Sequence, residues 1–204
     1  MSVQKQIKVY GDIRSGNCYK IKLAAEILGI PYEWQAIDVT SGETRSEWFL
    51  SKNPNGRLPI VELPGGDILA ESNAILNYLA EGSLLLPQDR FKKAQVLQWQ
   101  FFEQYSHEPY IAVSRYIQTL LGLPEERRAE HASKKAGGLS ALGVMETQLA
   151  KTPFLIGEEF TIADISLYAY THVAHEGGFS LEDFPAIRQW ITRVQSIPGY
   201  VEMV

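Results

Sequence analysis

Cysteine is nearly absent from this 204-residue chain, and its single copy is Cys18. That scarcity excludes an intrachain disulfide framework and any multi-cysteine metal site. Long hydrophobic runs are missing too, and none approaches the ~20 apolar residues of a membrane-spanning helix. Nor is there an excess of positive charge: 19 basic residues face 24 acidic ones, for a net charge of −5. No nucleic acid and no anionic membrane is therefore an expected partner. Divided at Gly82, the two parts hold 8 basic against 10 acidic and 11 against 14, so neither is a hidden basic module. The opening M-S-V-Q-K-Q has no apolar core of the signal-peptide kind, and the expectation is a soluble, cytoplasmic protein.

What is present is an ordinary globular composition, 45% hydrophobic and 21% charged. The length suffices for one generous domain or two modest ones. The first part mixes strands and helices. Residues 6–10 predict a strand, and Asn17–Leu28 has apolar residues at helical spacing, stopped by Gly29. Pro31 precedes a second strand near Tyr32–Asp38, giving a β–α–β unit with a right-handed crossover expected. A short helix around Thr44–Leu50 follows. L-P-I-V-E-L is then an apolar strand headed by Pro59, P-G-G-D is a hairpin turn, I-L-A is a brief strand, and Glu71-Ser72 opens another helix.

From Leu84 the strand signals nearly vanish. Helices are predicted at about 90–121, 125–150, 162–175 and 184–196. Pro109 is expected to kink the first, and Gly137-Gly138 to permit a bend or close helix contact. In T-I-A-D-I, Thr161 can cap the first turn, and Asp164 can reach back to the capping residue's amide. The domains expected are 1–82 and 90–204, joined by a linker at 83–89.

Three stretches carry chemistry. In R-S-G-N-C-Y-K, Ser15 and Cys18 lie three residues apart where the first strand gives way to a helix. Pro59 fits a turn or a cis Leu58–Pro59 bond. The cis form would turn the Leu58 amide and carbonyl outward, toward something peptide-like. Glu71 and Ser72 stand at a helix N-terminus, where free amides and the macrodipole attract an anion. Ser72 can donate to a carboxylate and Glu71 can accept from an ammonium group, which together suit an α-amino-acid head group. Helix capping alone also accounts for a serine there.

The chain resembles the glutathione S-transferase family over nearly its full length. The carriers are R-S-G-N-C-Y-K, N-P-N-G-R-L-P-I-V-E-L, E-S-N-A-I-L-N-Y-L and, in the helical half, T-I-A-D-I-S-L. The resemblance implies a thioredoxin-like α/β N-terminal domain, an all-α C-terminal domain and a homodimer. It implies that Leu58 and Pro59 hold the cysteine of glutathione, that Glu71 and Ser72 bind its γ-glutamyl end, and that Arg57 is a candidate for its glycine carboxylate.

The stretch S-x-x-C puts a serine where a thioredoxin-like redox motif has its attacking cysteine. It resembles the serine-type theta, delta and zeta classes, with Ser15 catalytic as a donor to the bound thiolate. Asn17 is a second candidate donor, and a merely capping Ser15 stays open. Cys18, one turn into an apolar helix, fits a small buried hydrophobe. Ile13, Tyr105 and Tyr116 are candidates for an electrophile pocket, although an aromatic helix face also serves as core. His172, His175 and Glu176 fall on adjacent helical turns without a fourth ligand, and no metal is expected. The function implied is attack of glutathione, a co-substrate, on a small apolar electrophile. The alternatives are glutathione-dependent peroxide or disulfide reduction, and a non-catalytic binding or regulatory protein on the same scaffold.

Overall fold

The computed structural model describes residues 6–203. The chain folds as two compact units, one of the residues up to Ser83 together with those from Ile197 on, the other Leu84–Ser196.

The first unit is built on four strands, β1 (Ile7–Gly11), β2 (Tyr32–Ala36), β3 (Ile60–Glu62) and β4 (Ile68–Ala70), in the order β2-β1-β3-β4. β1 and β2 are parallel, as a β–α–β connection requires, whereas β3 runs antiparallel to both β1 and β4. Strand alternation sorts the core. Tyr10 and Ile60 share one face with Ile37 and Phe49, and Leu58, Ile68 and Ala70 pack against that cluster. Val9 and Val61 point to the other face and are fully buried.

Helix α1 (Gly16–Leu28) starts at Ser15 and stops at Gly29, whose φ of 64° is left-handed. The amide of Gly29 and that of Ile30 both return to the carbonyl of Ala25. α1 packs against α3 (Ser72–Ala80). The short α2 (Glu47–Lys52) is capped by Ser46, which accepts from the amide of Phe49. Its start lies three residues later than the pattern predicts, because Glu43–Arg45 forms a separate 3-10 turn. The Leu58–Pro59 peptide bond is cis.

The second unit is helical: α4 (Arg90–Phe102), α5 (Glu108–Arg115), α6 (Arg128–Leu149), α7 (Ile162–Thr171) and α8 (Pro185–Gln195). All ten residues of α7 are buried, which makes it the central helix. Its N-terminus is the expected capping box. Thr161 Oγ1 accepts from the Ala163 amide at 3.3 Å, and Asp164 accepts from the Thr161 amide at 2.9 Å. Asp164 also accepts from the amide of Leu155 and from Trp190 Nε1 on α8, at 3.0 and 2.9 Å. Gly137 and Gly138 of α6 lie under the rings of Tyr110 and Phe179, so the pair serves close packing.

Three expectations need correction. The segment 90–121 is not one helix: Glu103–His107 and Tyr116–Leu120 are π turns flanking α5, with the Leu121 amide reaching the Tyr116 carbonyl. Pro109 sits in the first turn of α5, where its missing N–H is tolerated. Residues 83–89 are more than a linker, since Leu85 and Leu86 are buried and the Leu85 carbonyl accepts from Ile162 at 3.0 Å. The helical domain does not run on to 204. From Ile197 the chain belongs to the first unit, where Tyr19 Oη donates to the Val201 carbonyl at 2.8 Å.

Candidate active site

The loop between β1 and α1 is held from within. The buried Asp12 carboxylate accepts from the Arg14 amide and from Arg14 Nε, both at 2.9 Å, from Arg14 Nη2 at 2.6 Å, and from the Val39 amide at 3.0 Å. Arg14 also reaches Asp38 at 2.7 Å. Burial alone would raise the Asp12 carboxyl, but the bonds from Arg14 and Val39 outweigh it and hold it below the usual range. Ser15 follows directly, its amide on the Asp12 carbonyl at 3.0 Å.

Ser15 Oγ accepts from the Cys18 amide at 3.4 Å and caps α1. A hydroxyl carries one proton and two lone pairs, so capping uses a lone pair and leaves the proton for another acceptor. Capping and donation are therefore compatible in one residue. The Cys18 thiol is fully buried, and burial pushes it up to about 12 despite a bond from Ser15. At neutral pH it is protonated and out of reach of solvent.

Across the unit, α3 brings Ser72 to the first turn of α1. Ser72 Oγ donates to Asn17 Oδ1 at 3.3 Å and accepts from Lys20 Nζ at 3.4 Å. Ser72 and Lys20 are both buried. Glu71, exposed at the N-cap of α3, has φ 67° and ψ 112° and caps nothing with its side chain. A non-glycine residue at positive φ costs about 1–3 kcal/mol and persists where a site demands it. Among the described residues, Leu58 makes no backbone hydrogen bond, although it stands beside the paired strand β3. The neighbouring Arg57 is exposed, its carbonyl held by Asn53 Nδ2 at 2.8 Å.

Ser15, Asn17, Leu58, Pro59, Glu71, Ser72 and Arg57 thus share the first unit, and Asn17 and Ser72 are in direct contact. Ile13, 50% exposed, lies in the same loop as Ser15. Tyr105 and Tyr116 belong to the helical unit, where Tyr105 is 84% exposed and Tyr116 half-buried. His172 stacks on Tyr168, centroids 4.4 Å apart, and its Nδ1 lies 2.7 Å from the Tyr168 carbonyl. Glu176 pairs with Arg115 at 2.7 Å. Among the described residues no group of three acidic, His or Cys side chains is gathered as a metal site requires.

Two features escape a sequence reading. The Asp12–Arg14–Asp38 clamp depends on β1 and β2 lying side by side. Lys20 sits between Tyr19 and Ile21 in a helix of apolar character, and that apolar setting is the only local sign that its ammonium is enclosed.

Residues 5–81 match the family model of the glutathione S-transferase N-terminal domain, and residues 99–198 that of the C-terminal domain. A glutathione S-transferase from Pseudomonas fluorescens Pf-5 is 62% identical, with a TM-score of 0.95 over 97% of this chain and 98% of that one. The chain belongs to the glutathione S-transferase family. The family includes a more distant neighbour, the glutathione transferase URE2P6 from Phanerochaete chrysosporium, solved in complex with oxidized glutathione. It is 27% identical with a TM-score of 0.86, covering 98% of this chain and 94% of that one. Protein URE2 of Candida glabrata is 27% identical over 91% of this chain, which spans 64% of that longer protein.

Proposed function

We propose that the protein is a cytoplasmic, serine-type glutathione transferase that presents the thiolate of glutathione to a small apolar electrophile. The observation that carries this reading is Ser15 at the start of α1, where its helix cap uses a lone pair of the hydroxyl and does not spend the proton. A free thiol titrates near ~8.5, so little thiolate exists at neutral pH. Lowering that value by two units needs roughly 2.7 kcal/mol of differential stabilisation. A hydrogen bond to a charged group supplies about 1.5–3 kcal/mol and a helix N-terminus about 0.3–1 kcal/mol, which together are of the required size.

In this reading the peptide pairs with the free backbone groups of Leu58 beside Pro59. Its γ-glutamyl ammonium meets Glu71, its γ-glutamyl carboxylate meets Ser72, and Arg57 is assigned the glycine carboxylate. Asn17 is assigned to orienting Ser72 and stays the second candidate donor to sulfur. The electrophile is assigned to Ile13, which lies in the same loop as Ser15. Rate gain comes from thiolate stabilisation and from holding two reactants together.

A second reading, disulfide reduction with glutathione, draws support from the oxidized glutathione in the Phanerochaete neighbour. Cys18 does not supply the attacking sulfur in either reading, since it is enclosed and protonated. The test is to titrate the thiolate of bound glutathione by ultraviolet difference absorbance, then to assay turnover against electrophiles, peroxides and disulfides. A bound thiol that titrates as it does in free solution, with no turnover, overturns catalysis in favour of a binding protein.

A homodimer is part of the proposal. Phe91, Leu97 and Phe101 fall within an arc of roughly 120° on α4, and all three are exposed, a stripe suited to a second copy of the chain.

A further inference from the structure

Lys20 is one of the largest fully enclosed side chains in the protein. Burying an ammonium is costly unless it is hydrogen-bonded, and one of its bonds goes to Ser72 Oγ at 3.4 Å. Ser72 in turn donates to Asn17 Oδ1 at 3.3 Å. The three residues come from two helix starts, and the order of donation has a consequence. An ammonium only donates, so it occupies a lone pair of the Ser72 oxygen and cannot take its proton. The single proton of Ser72 is thereby directed away from Lys20, toward Asn17 or toward a better acceptor at the N-terminus of α3. A carboxylate is a better acceptor than a side-chain amide oxygen.

From this geometry we infer that Lys20 is a positioning residue for carboxylate recognition, acting through Ser72 by fixing which way the hydroxyl donates. The inference rests on the proposed binding of the γ-glutamyl carboxylate at Ser72 and adds a determinant behind it. Lys20 need not touch the ligand. Without it, the Ser72 hydroxyl is free to rotate and loses the polarisation of the adjacent positive charge.

The experiment measures dissociation constants by calorimetry for glutathione and for butyryl-cysteinylglycine, which lacks only the γ-glutamyl carboxylate and amino group. N-acetyl-glutathione, which keeps the carboxylate, controls for the amine. Lys20→Met should weaken glutathione and N-acetyl-glutathione each about tenfold, the size of one hydrogen bond to a charged group. It should change the affinity for the truncated peptide less than twofold. In a Ser72→Ala background, Lys20→Met should add less than twofold for any of the three. Lys20→Arg, which keeps a donor, should restore most of the preference for the carboxylate. If Lys20→Met does not fold, Lys20→Gln, polar but too short to reach Ser72, carries the same expectation.

Equal weakening of all three peptides, or additive losses with Ser72→Ala, overturns the inference and makes Lys20 a purely structural residue. In both cases the wild type still prefers ligands with the carboxylate, so the placement of glutathione survives. A wild type that binds N-acetyl-glutathione no better than the truncated peptide overturns that placement, and the role of Lys20 with it.

Discussion

Ser15 Oγ accepts the Cys18 amide at 3.4 Å while the Cys18 thiol is sealed in the core, so two nucleophile types three residues apart are chemically separated. Ser15→Ala should raise the pKa of bound glutathione. If the shift is two units, from about 6.5 back to about 8.5, the thiolate fraction at pH 7 falls from about three quarters to about 3%, and conjugation should slow roughly 25-fold. Raising the pH should recover part of that loss, and glutathione affinity should change little. Cys18→Ala should leave conjugation nearly intact and lower stability. A pH–rate profile of each variant checks this, and the opposite pattern would move the chemistry to the cysteine.

Glu71 is expected to show a conflict between stability and binding. Glu71→Gly removes a side chain from backbone at φ 67° and should stabilise the fold by about 1 kcal/mol or more. Both Glu71→Gly and Glu71→Ala should weaken glutathione binding by about 1.5–3 kcal/mol, the worth of a bond to a charged group. Thermal melts set beside calorimetric titrations give both numbers, and undiminished affinity in either variant would sink the assignment.

The exposed stripe on α4 should matter for association. Phe91→Glu combined with Phe101→Glu should give a monomer by light scattering at micromolar concentration, where the wild type is expected to be a dimer. A monomeric wild type under the same conditions would remove the pairing.

Glycines along α6 should split by their surroundings. A Cβ on Gly138 would stand 2.2 Å from the ring of the buried Phe179, whereas nothing lies within 4 Å of one on Gly143. Gly138→Ala gains about 1 kcal/mol of helix propensity but incurs an overpacking cost of about 1–3 kcal/mol, so it should be neutral to destabilising. Gly143→Ala should stabilise by about 0.5–1 kcal/mol. Urea denaturation of the two variants tests the contrast.

His172 should make stability fall in mild acid. Its burial, only partly countered by the Tyr168 carbonyl, lowers its pKa to about 4, against about 6.5 in the unfolded chain. The unfolded state then binds the extra proton first. The contribution is present above about pH 6.5 and is lost as pH falls toward 4, by up to ~3 kcal/mol. Asp164 acts in the opposite sense, since burial raises it to about 6 and favours the fold as it protonates. Comparing wild type with His172→Phe isolates the histidine: the variant should gain on the wild type across that window, and parallel curves would refute the effect.

The sequence by itself determined the local features, because their partners lie within a few residues. Ser15, Ser46 and Thr161 cap the helices that begin after them, Gly29 ends α1, and apolar periodicity sorts a mixed first part from a helical second. Only tertiary structure decided contacts whose partners are far apart in the chain. Phe184 offers no side-chain cap to α8, and the amides of Ala186 and Ile187 are met by Glu146, about 40 residues upstream, at 2.9 and 3.0 Å. Lys20 meets Ser72 across 52 residues, and the chain after Ile197 returns to α1 through Tyr19 and Val201 across 182. Propensity and periodicity act through neighbours along the chain. The burial of a lysine or the satisfaction of a helix end by a distant carboxylate depends on which surfaces packing brings together.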